Sequence, residues 1–373
     1  MNGNRGKVFR VGNFNLCNLA LPNEVFYRRE FYSKADYARK IAWSAQQLDR
    51  MRADIVGFQE VFHPAALQDV LDHSEYCRDF HLMAVPPLDD TPTVALASRF
   101  PVLAHEFITD FPAAARLDVR GATMPLSHFS RPVLKVRLQL SQSVECVVYV
   151  VHLKSKRGII PQYVDKYDPV EIAKGQARSL MLRAAEAIAL RVLMLELLED
   201  RDYPVMLLGD LNDGNPAVTS RIISGEPPHR RLEHDFKREI WDVLLYHAKD
   251  IQARQSYDDY IYTHLHNGHY ECLDHIMVSQ EFVSQNPERI GNVIYVSVFN
   301  DHLLDETLSD EHMPKWQSDH GQLVAAIELE RDERPRRVLT VKRSTEVTKT
   351  QDAQGKVTQH SKESILRVER IED

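Results

Sequence analysis

Several short apolar runs in this chain stop on a residue that can ligate a cation or move a proton, and that pattern restricts the fold more than any other feature. Residues 7–16 have strand character and carry Asn13 and Asn15, with Asn18 just beyond; residues 54–58 deliver Gln59 and Glu60. Residues 146–151 end on His152, and residues 204–208 end on Gly209 and Asp210. A run of the same form at 270–278 carries Asp274 and His275, and 322–329 is entered through Ser318, Asp319 and His320. Short apolar runs bounded by turn formers read as buried strands. Strands of one sandwich bring such ends together at one rim.

Helical spacing lies between the strands. Ser33 followed by Asp36 resembles a capping box, and Tyr37, Ile41, Ala45 and Leu48 then recur on one face. Residues 171–198 form a second helical stretch, and further strands are predicted at 80–85, 93–97 and 133–140, where Leu134, Val136, Leu138 and Leu140 alternate with polar partners. Strands predominate, with a few helices between them.

The apolar fraction of 43% supplies one large core or two ordinary ones, and a charged fraction of 27% reads as globular. A net charge of -8 argues against coating nucleic acid by bulk electrostatics, while leaving local basic patches open. Cys17, Cys77, Cys146 and Cys272 form no CxxC pair, so neither a zinc ribbon nor a redox pair is indicated. The polar start and the lack of a long uncharged apolar run predict a cytoplasmic protein with no membrane span.

Phosphate-ester hydrolysis needs a hard cation, oxygen ligands to hold it, a positioned water and a group that stabilises the leaving oxygen. Asn15, Glu60, His152, Asp210, Asn212, Asp274, Asp319 and His320 offer candidates for each. The segments that carry them are FNLCN at Phe14, GFQEV at Gly57, VHLKS at Val151, GDLND at Gly209, LDHIMVS at Leu273 and SDHGQL at Ser318. This ordered set resembles the endonuclease/exonuclease/phosphatase superfamily over roughly residues 8–329, and it is specific as a set although each motif alone is weak.

The resemblance implies a four-layer α/β/β/α sandwich of two mostly antiparallel mixed sheets flanked by helices. It implies Glu60 as the principal ligand of Mg²⁺ or Mn²⁺, with Asn15 nearby and Asp319 helping directly or through water. Asp210 would orient and deprotonate the attacking water, Asn212 would hydrogen-bond a phosphate oxygen, and His320, held by Asp274, would stabilise the transition state or protonate the leaving group. His152 would be a second imidazole at the phosphate. At its position the apurinic-site repair nucleases generally have Tyr, whereas secreted nucleases, sphingomyelinases and inositol-phosphate phosphatases generally have His.

Simpler readings stand beside these. A lone Asn at a strand end is usually a turn residue, Gln59 and Glu60 suit a solvated strand end, and Asp213 with Gly214 suits a tight turn. His275 reads as a structural histidine on the opposite strand face from Asp274. Lys154 and Arg131 are candidate substrate contacts, although short basic runs and strand-end arginines are commonly just solvated. Asp310, Glu311 and His312 read as a polar loop.

Residues 1–330 are expected to form the catalytic domain, followed by a charged linker at 332–337 and a C-terminal hairpin or arm within 331–373, turning around Gln354 and Gly355 and pairing with a sheet edge or another subunit. The resulting expectation is a nuclease acting on DNA or RNA. The alternative is a phosphatase or phosphodiesterase on a small or lipid-linked phosphate. A noncatalytic binding module is disfavoured because no residue of the set is missing.

Overall fold

A computed structural model describes residues 7–86, 91–199, 203–229, 231–253, 261–306, 311–330, 336–351 and 357–372. Strand β1 (Lys7–Leu19) leads into helix α1 (Lys34–Met51) and strand β2 (Ile55–Val61). Ser33 caps α1: its hydroxyl accepts from the Asp36 N–H at 3.1 Å and donates to the Asp36 carboxylate at 2.8 Å. Ile41, Ala45 and Leu48 are buried against the sheet. A helix returning the chain between two strands makes them parallel, and β1 pairs with β2 from Val11↔Ile55 to Asn15↔Gln59.

Helix α2 (Pro64–His73) and strands β3 (His81–Ala84), β4 (Thr93–Ser98) and β5 (Val102–Asp110) follow, then the short pair β6 (Asp118–Val119) and β7 (Ala122–Thr123). Next come β8 (His128–Gln139) and β9 (Glu145–His152). Helix α3 (Pro169–Leu198) makes a second crossover, so that β10 (Val205–Asp210) runs parallel to β9 as far as Asp210↔His152. Beyond it lie α4 (Val218–Ser224), α5 (His234–Asp242), β11 (Leu245–His247), α6 (Ala248–Ala253), β12 (His264–His266), β13 (His269–Glu271), β14 (Asp274–Ser279), β15 (Gly291–Phe299) and β16 (Gln322–Leu329).

Two six-stranded mixed sheets result, ordered β15-β16-β1-β2-β4-β3 and β11-β14-β10-β9-β8-β5. Each has one parallel pair at its centre, and its other pairs are antiparallel. Alternation assigns the two faces of every strand. Val56 and Phe58 pack outward on α1 and α2, while Tyr149, Val151 and Leu207 pack outward on α3. The intervening positions meet between the sheets, where a Cβ on Gly57 would stand 2.9 Å from Leu208 Cβ and 3.3 Å from Val150 Cγ1. Only glycine permits that approach, and overpacking there costs about 1–3 kcal/mol. The layer order is therefore the α/β/β/α order implied by the resemblance.

Several boundaries differ from the sequence reading. The run at 270–278 is two strands, because the N–H groups of both Leu273 and Asp274 turn to donate to Thr263 Oγ1 at 3.1 Å. Strands β5 and β15 were not foreseen: the former is largely exposed and the latter interrupted by a register shift, so neither has a clean apolar run. Arg336 and Arg337, expected in a linker, open strand β17 (Arg336–Gln351), which pairs antiparallel with β18 (Val357–Glu372) through sixteen residue pairs. Residues 332–335, Gln354, Gly355 and Asp310 lie outside the described residues. Among the described residues no helix is long and apolar enough to cross a membrane.

Candidate active site

Both central parallel pairs end at the same rim, which brings Asn15 and Glu60 from one sheet against His152 and Asp210 from the other. Asn15 Nδ2 donates to Asp210 Oδ2 at 3.2 Å and lies 3.4 Å from Glu60 Oε1. A second tie runs from Asn13 Nδ2 to Asp274 Oδ1 at 3.0 Å, and Gln59 Nε2 donates back to Asn13 Oδ1 at 2.9 Å. Buried polar side chains are costly unless bonded, so these inter-sheet bonds fix the register of one sheet against the other at the rim.

Glu60 and Asn212 both adopt left-handed backbone, at φ of 61° and 54°. For Glu60 that costs on the order of 1–2 kcal/mol and is held by its surroundings, including the Asn18 N–H that donates to Oε2 at 3.0 Å. Asn212 tolerates the conformation more readily; its N–H donates to Asp210 Oδ1 at 2.8 Å and its Nδ2 to the Leu153 carbonyl at 3.0 Å. His152 Nε2 and His320 Nε2 approach Asp210 Oδ2 at 3.5 and 3.9 Å. His320 Nδ1 lies 2.7 Å from Asp274 Oδ2.

Electrostatics separates the two histidines. Burial pushes His152 down, and the cations of Arg131, His320 and Lys154 push it further, so it is neutral. Burial alone would also depress His320, but the charges of Asp274, Asp210 and Asp319 and the Asp274 hydrogen bond overcome it and hold His320 well above the ordinary imidazole range. Burial raises Asp210, and the Asp274 and Glu60 carboxylates add to the rise against the pull of His320. Glu60 is likewise raised by burial and by Asp319, against His320, Arg131 and Asn15.

All eight candidates for the hydrolytic set thus meet at this rim, with Asp319 exposed at its open side. Arg131 reaches it too: its Nη1 lies 3.4 Å from the Leu153 carbonyl, its Nε is buried without a hydrogen-bond partner, and its charge acts on Glu60 and His152. Lys154 Nζ instead donates to Ser155 O, Ser155 Oγ and Arg157 O within its own loop at 3.1–3.2 Å. Lys156 pairs with Glu271 at 2.8 Å.

Residues that position these groups escaped the sequence reading. Glu186 of α3 is fully buried and accepts from the Ser130 N–H at 2.8 Å and the Lys154 N–H at 2.7 Å. Arg183, one turn earlier, donates to Asp213 at 2.8 Å and to the Lys154 carbonyl at 3.1 Å. Their only sequence signal is charge on a face of α3 whose neighbouring positions are apolar. The Asp213 carboxylate accepts from Arg183 and Thr219 Oγ1, and His275 Nε2 lies 2.8 Å from the Asp213 carbonyl; His264, which no motif marks, lies against His320 with ring centroids 5.1 Å apart.

A model of the Endonuclease/Exonuclease/phosphatase family matches residues 44–320. The chain belongs to that family. Solved structures that share the fold include a humanized D. rerio TDP2 with 14 mutations, at 15% identity and TM-score 0.53, covering 86% of this chain and 99% of that chain. Another is an endonuclease/exonuclease/phosphatase family protein from Bacteroides thetaiotaomicron, at 15% identity and TM-score 0.52, covering 87% and 96%. No curated protein matches the sequence. Membership makes the protein a phosphoesterase hydrolase, and enzymes of this family generally depend on a divalent metal.

The donor set of this phosphoesterase fits such an ion. Among Glu60, Asp210 and Asp319, the Asp319 charge raises the cost of ionising Glu60, and the Glu60 charge raises that of Asp210. Clustered buried carboxylates of this kind are stabilised by cations, and oxygen donors suit a small hard one.

Proposed function

We propose that this phosphoesterase is a nuclease that cleaves a phosphodiester by in-line attack of water, with residues 1–330 as its catalytic domain and 331–373 as an appended arm. In this reading Glu60, Asn15 and Asp319 hold Mg²⁺ or Mn²⁺, which when bound offsets the charge of the nonbridging oxygens. Asp210, its affinity for a proton raised by burial, takes the proton of the attacking water. Asn212 donates to a phosphate oxygen as charge builds there, and His152 lies beside it as a neutral imidazole. His320 carries its proton toward the leaving oxygen while Asp274 stabilises the cation. Arg131 contacts the substrate phosphate, and Lys154, whose ammonium the acceptors of its own loop hold, adds its charge beside it.

The observation that carries the choice of a polymeric substrate is the segment between Lys154 and Asp168, which follows His152 of the site in the chain and lies along the start of α3. It contains Lys154, Lys156, Arg157 and Lys166 against two carboxylates of its own, with Lys156 paired to Glu271, in a chain of net charge -8. It also exposes Tyr163 at 89% and Tyr167 at 74%, with Lys166 Nζ 4.9 Å from the Tyr167 ring centre. Open aromatic faces beside cations suit stacked bases of a single strand. A panel tests this: chelator-stripped protein assayed with and without Mg²⁺ or Mn²⁺ on linear and supercoiled DNA, single-stranded RNA, bis-p-nitrophenyl phosphate and p-nitrophenyl phosphate. Metal-dependent cleavage of nucleic acid, lost in Asp210→Asn, is the expected result. Turnover of the small esters alone overturns it in favour of a phosphatase or phosphodiesterase, a reading favoured by the acidic net charge and His152.

A further inference from the structure

His264 stands at the edge of the hydrolytic centre and takes no part in the reaction described above. An isolated antiparallel bridge joins His264 to His320, which sets their imidazoles side by side. One ligand atom from each of His264, Asp319 and His320 lies within 4.8 Å of the other two. We propose that these three side chains form a zinc site, and that zinc bound there inhibits the enzyme.

The donor chemistry distinguishes this set from the oxygen ligands around Glu60. Two imidazoles and one carboxylate with an open fourth position are a ligand set that zinc takes, whereas Mg²⁺ favours oxygen donors. Zinc bonds of about 2.0–2.2 Å place tetrahedral donors roughly 3.4 Å apart, so about 1 Å of side-chain movement closes the set. His264 Nδ1 is buried and without a hydrogen-bond partner, and Asp319 is exposed, which leaves the site open to an entering ion.

The surroundings also match a metal-bound histidine. His320 Nδ1 is held by the Asp274 carboxylate at 2.7 Å, which fixes the ring and leaves Nε2 as its free nitrogen. A carboxylate behind the far nitrogen of a ligating histidine orients the ring and raises its basicity toward the metal. A zinc ion on Nε2 occupies the nitrogen that carries the proton to the leaving oxygen. The inhibition therefore rests on the role given to His320 above, whereas the binding does not.

Calorimetric titration of the chelator-stripped full chain with zinc chloride tests the site, with His264→Ala and His264→Gln as variants. The expected result is one zinc per chain, weakened at least about tenfold in both variants, while Mg²⁺ binding and the unfolding midpoint stay unchanged. Equal zinc affinity in wild type and both variants overturns the site, whatever reaction the enzyme performs. Zinc affinity that falls in Glu60→Gln and not in the His264 variants also overturns it, because the ion then sits on the oxygen ligands. For the second half, zinc at saturation is expected to suppress Mg²⁺-dependent hydrolysis at least about tenfold in wild type, with weaker suppression in His264→Gln at the same zinc concentration. Tight zinc binding through His264 with undiminished turnover overturns the inhibition; no turnover even in zinc-free, Mg²⁺-loaded protein counts against the nuclease reading instead.

Discussion

His320 Nδ1 lies 2.7 Å from Asp274 Oδ2, and Asp274 is itself held from behind by Asn13. The carboxylate therefore fixes the ring and stabilises its cation. Asp274→Asn removes that charge while keeping the shape. Turnover is expected to fall by roughly 10²–10⁴-fold. The sign of the pH effect follows from the lost anion: the imidazolium becomes harder to maintain, so its proton is lost at lower pH. The alkaline limb of the rate profile should move down by roughly 1–3 pH units. A pH–rate profile of kcat with an unmoved alkaline limb would show that His320 does not act as the acid.

In the proposed mechanism Asp210 is the other half of the proton traffic. Asp210→Asn keeps an oxygen toward the Asn212 N–H but cannot accept the proton of the water. Turnover is expected to drop by roughly 10²–10⁴-fold with the thermal midpoint preserved. Single-turnover rates near wild type would remove Asp210 from the mechanism.

Glu60→Gln tests the cation rather than the proton. Mg²⁺ binding measured by calorimetry should weaken on the order of tenfold or more, and the metal concentration for half-maximal rate should rise with it. Unchanged metal dependence means that Glu60 is no principal ligand. Stripping with chelator should silence the wild type and restoring Mg²⁺ should revive it.

The candidate set was legible because its members are chain-local: each interrupts or borders a buried run, and polar residues break an apolar pattern visibly. Asn15, Glu60, His152, Asp210, Asn212, Asp274, Asp319 and His320 all carry that signature and all reach the rim. What was not legible is contact between distant elements. Glu186 looks like any helical glutamate until α3 lays it under the Ser130 and Lys154 amides. His264 has no apolar run before it, and only its bridge to His320 places it. Lys154 shows the converse: a basic run suggested free cations, whereas the loop closes its own carbonyls around that side chain.

Glu186→Gln is therefore a test of positioning. One of two buried amides loses its charged acceptor, which should cost about 1.5–3 kcal/mol in chemical denaturation. If Arg131 and Lys154 hold substrate, KM should rise more than kcat falls. A stability loss with both kinetic constants unchanged would confine Glu186 to a structural role.

His275 and His247 set a limit on acid tolerance that is separate from catalysis. His275 Nε2 lies 2.8 Å from the Asp213 carbonyl and so carries the proton of the neutral ring. Its Nδ1 must then accept from His247 Nδ1 at 3.2 Å. Burial drives both rings down to about 3 in the folded protein. The unfolded chain takes up these protons near pH 6.5 and the folded one does not, so the contribution is fully present above pH 6.5 and is lost as pH falls toward 3. Each ring contributes a slope of at most roughly 1.4 kcal/mol per pH unit in that window. His247→Gln keeps an N–H donor for His275 and abolishes one titration. Urea unfolding between pH 7.5 and 5 should show a shallower decline in the variant than in wild type, and identical slopes would mean that these histidines titrate alike in both states.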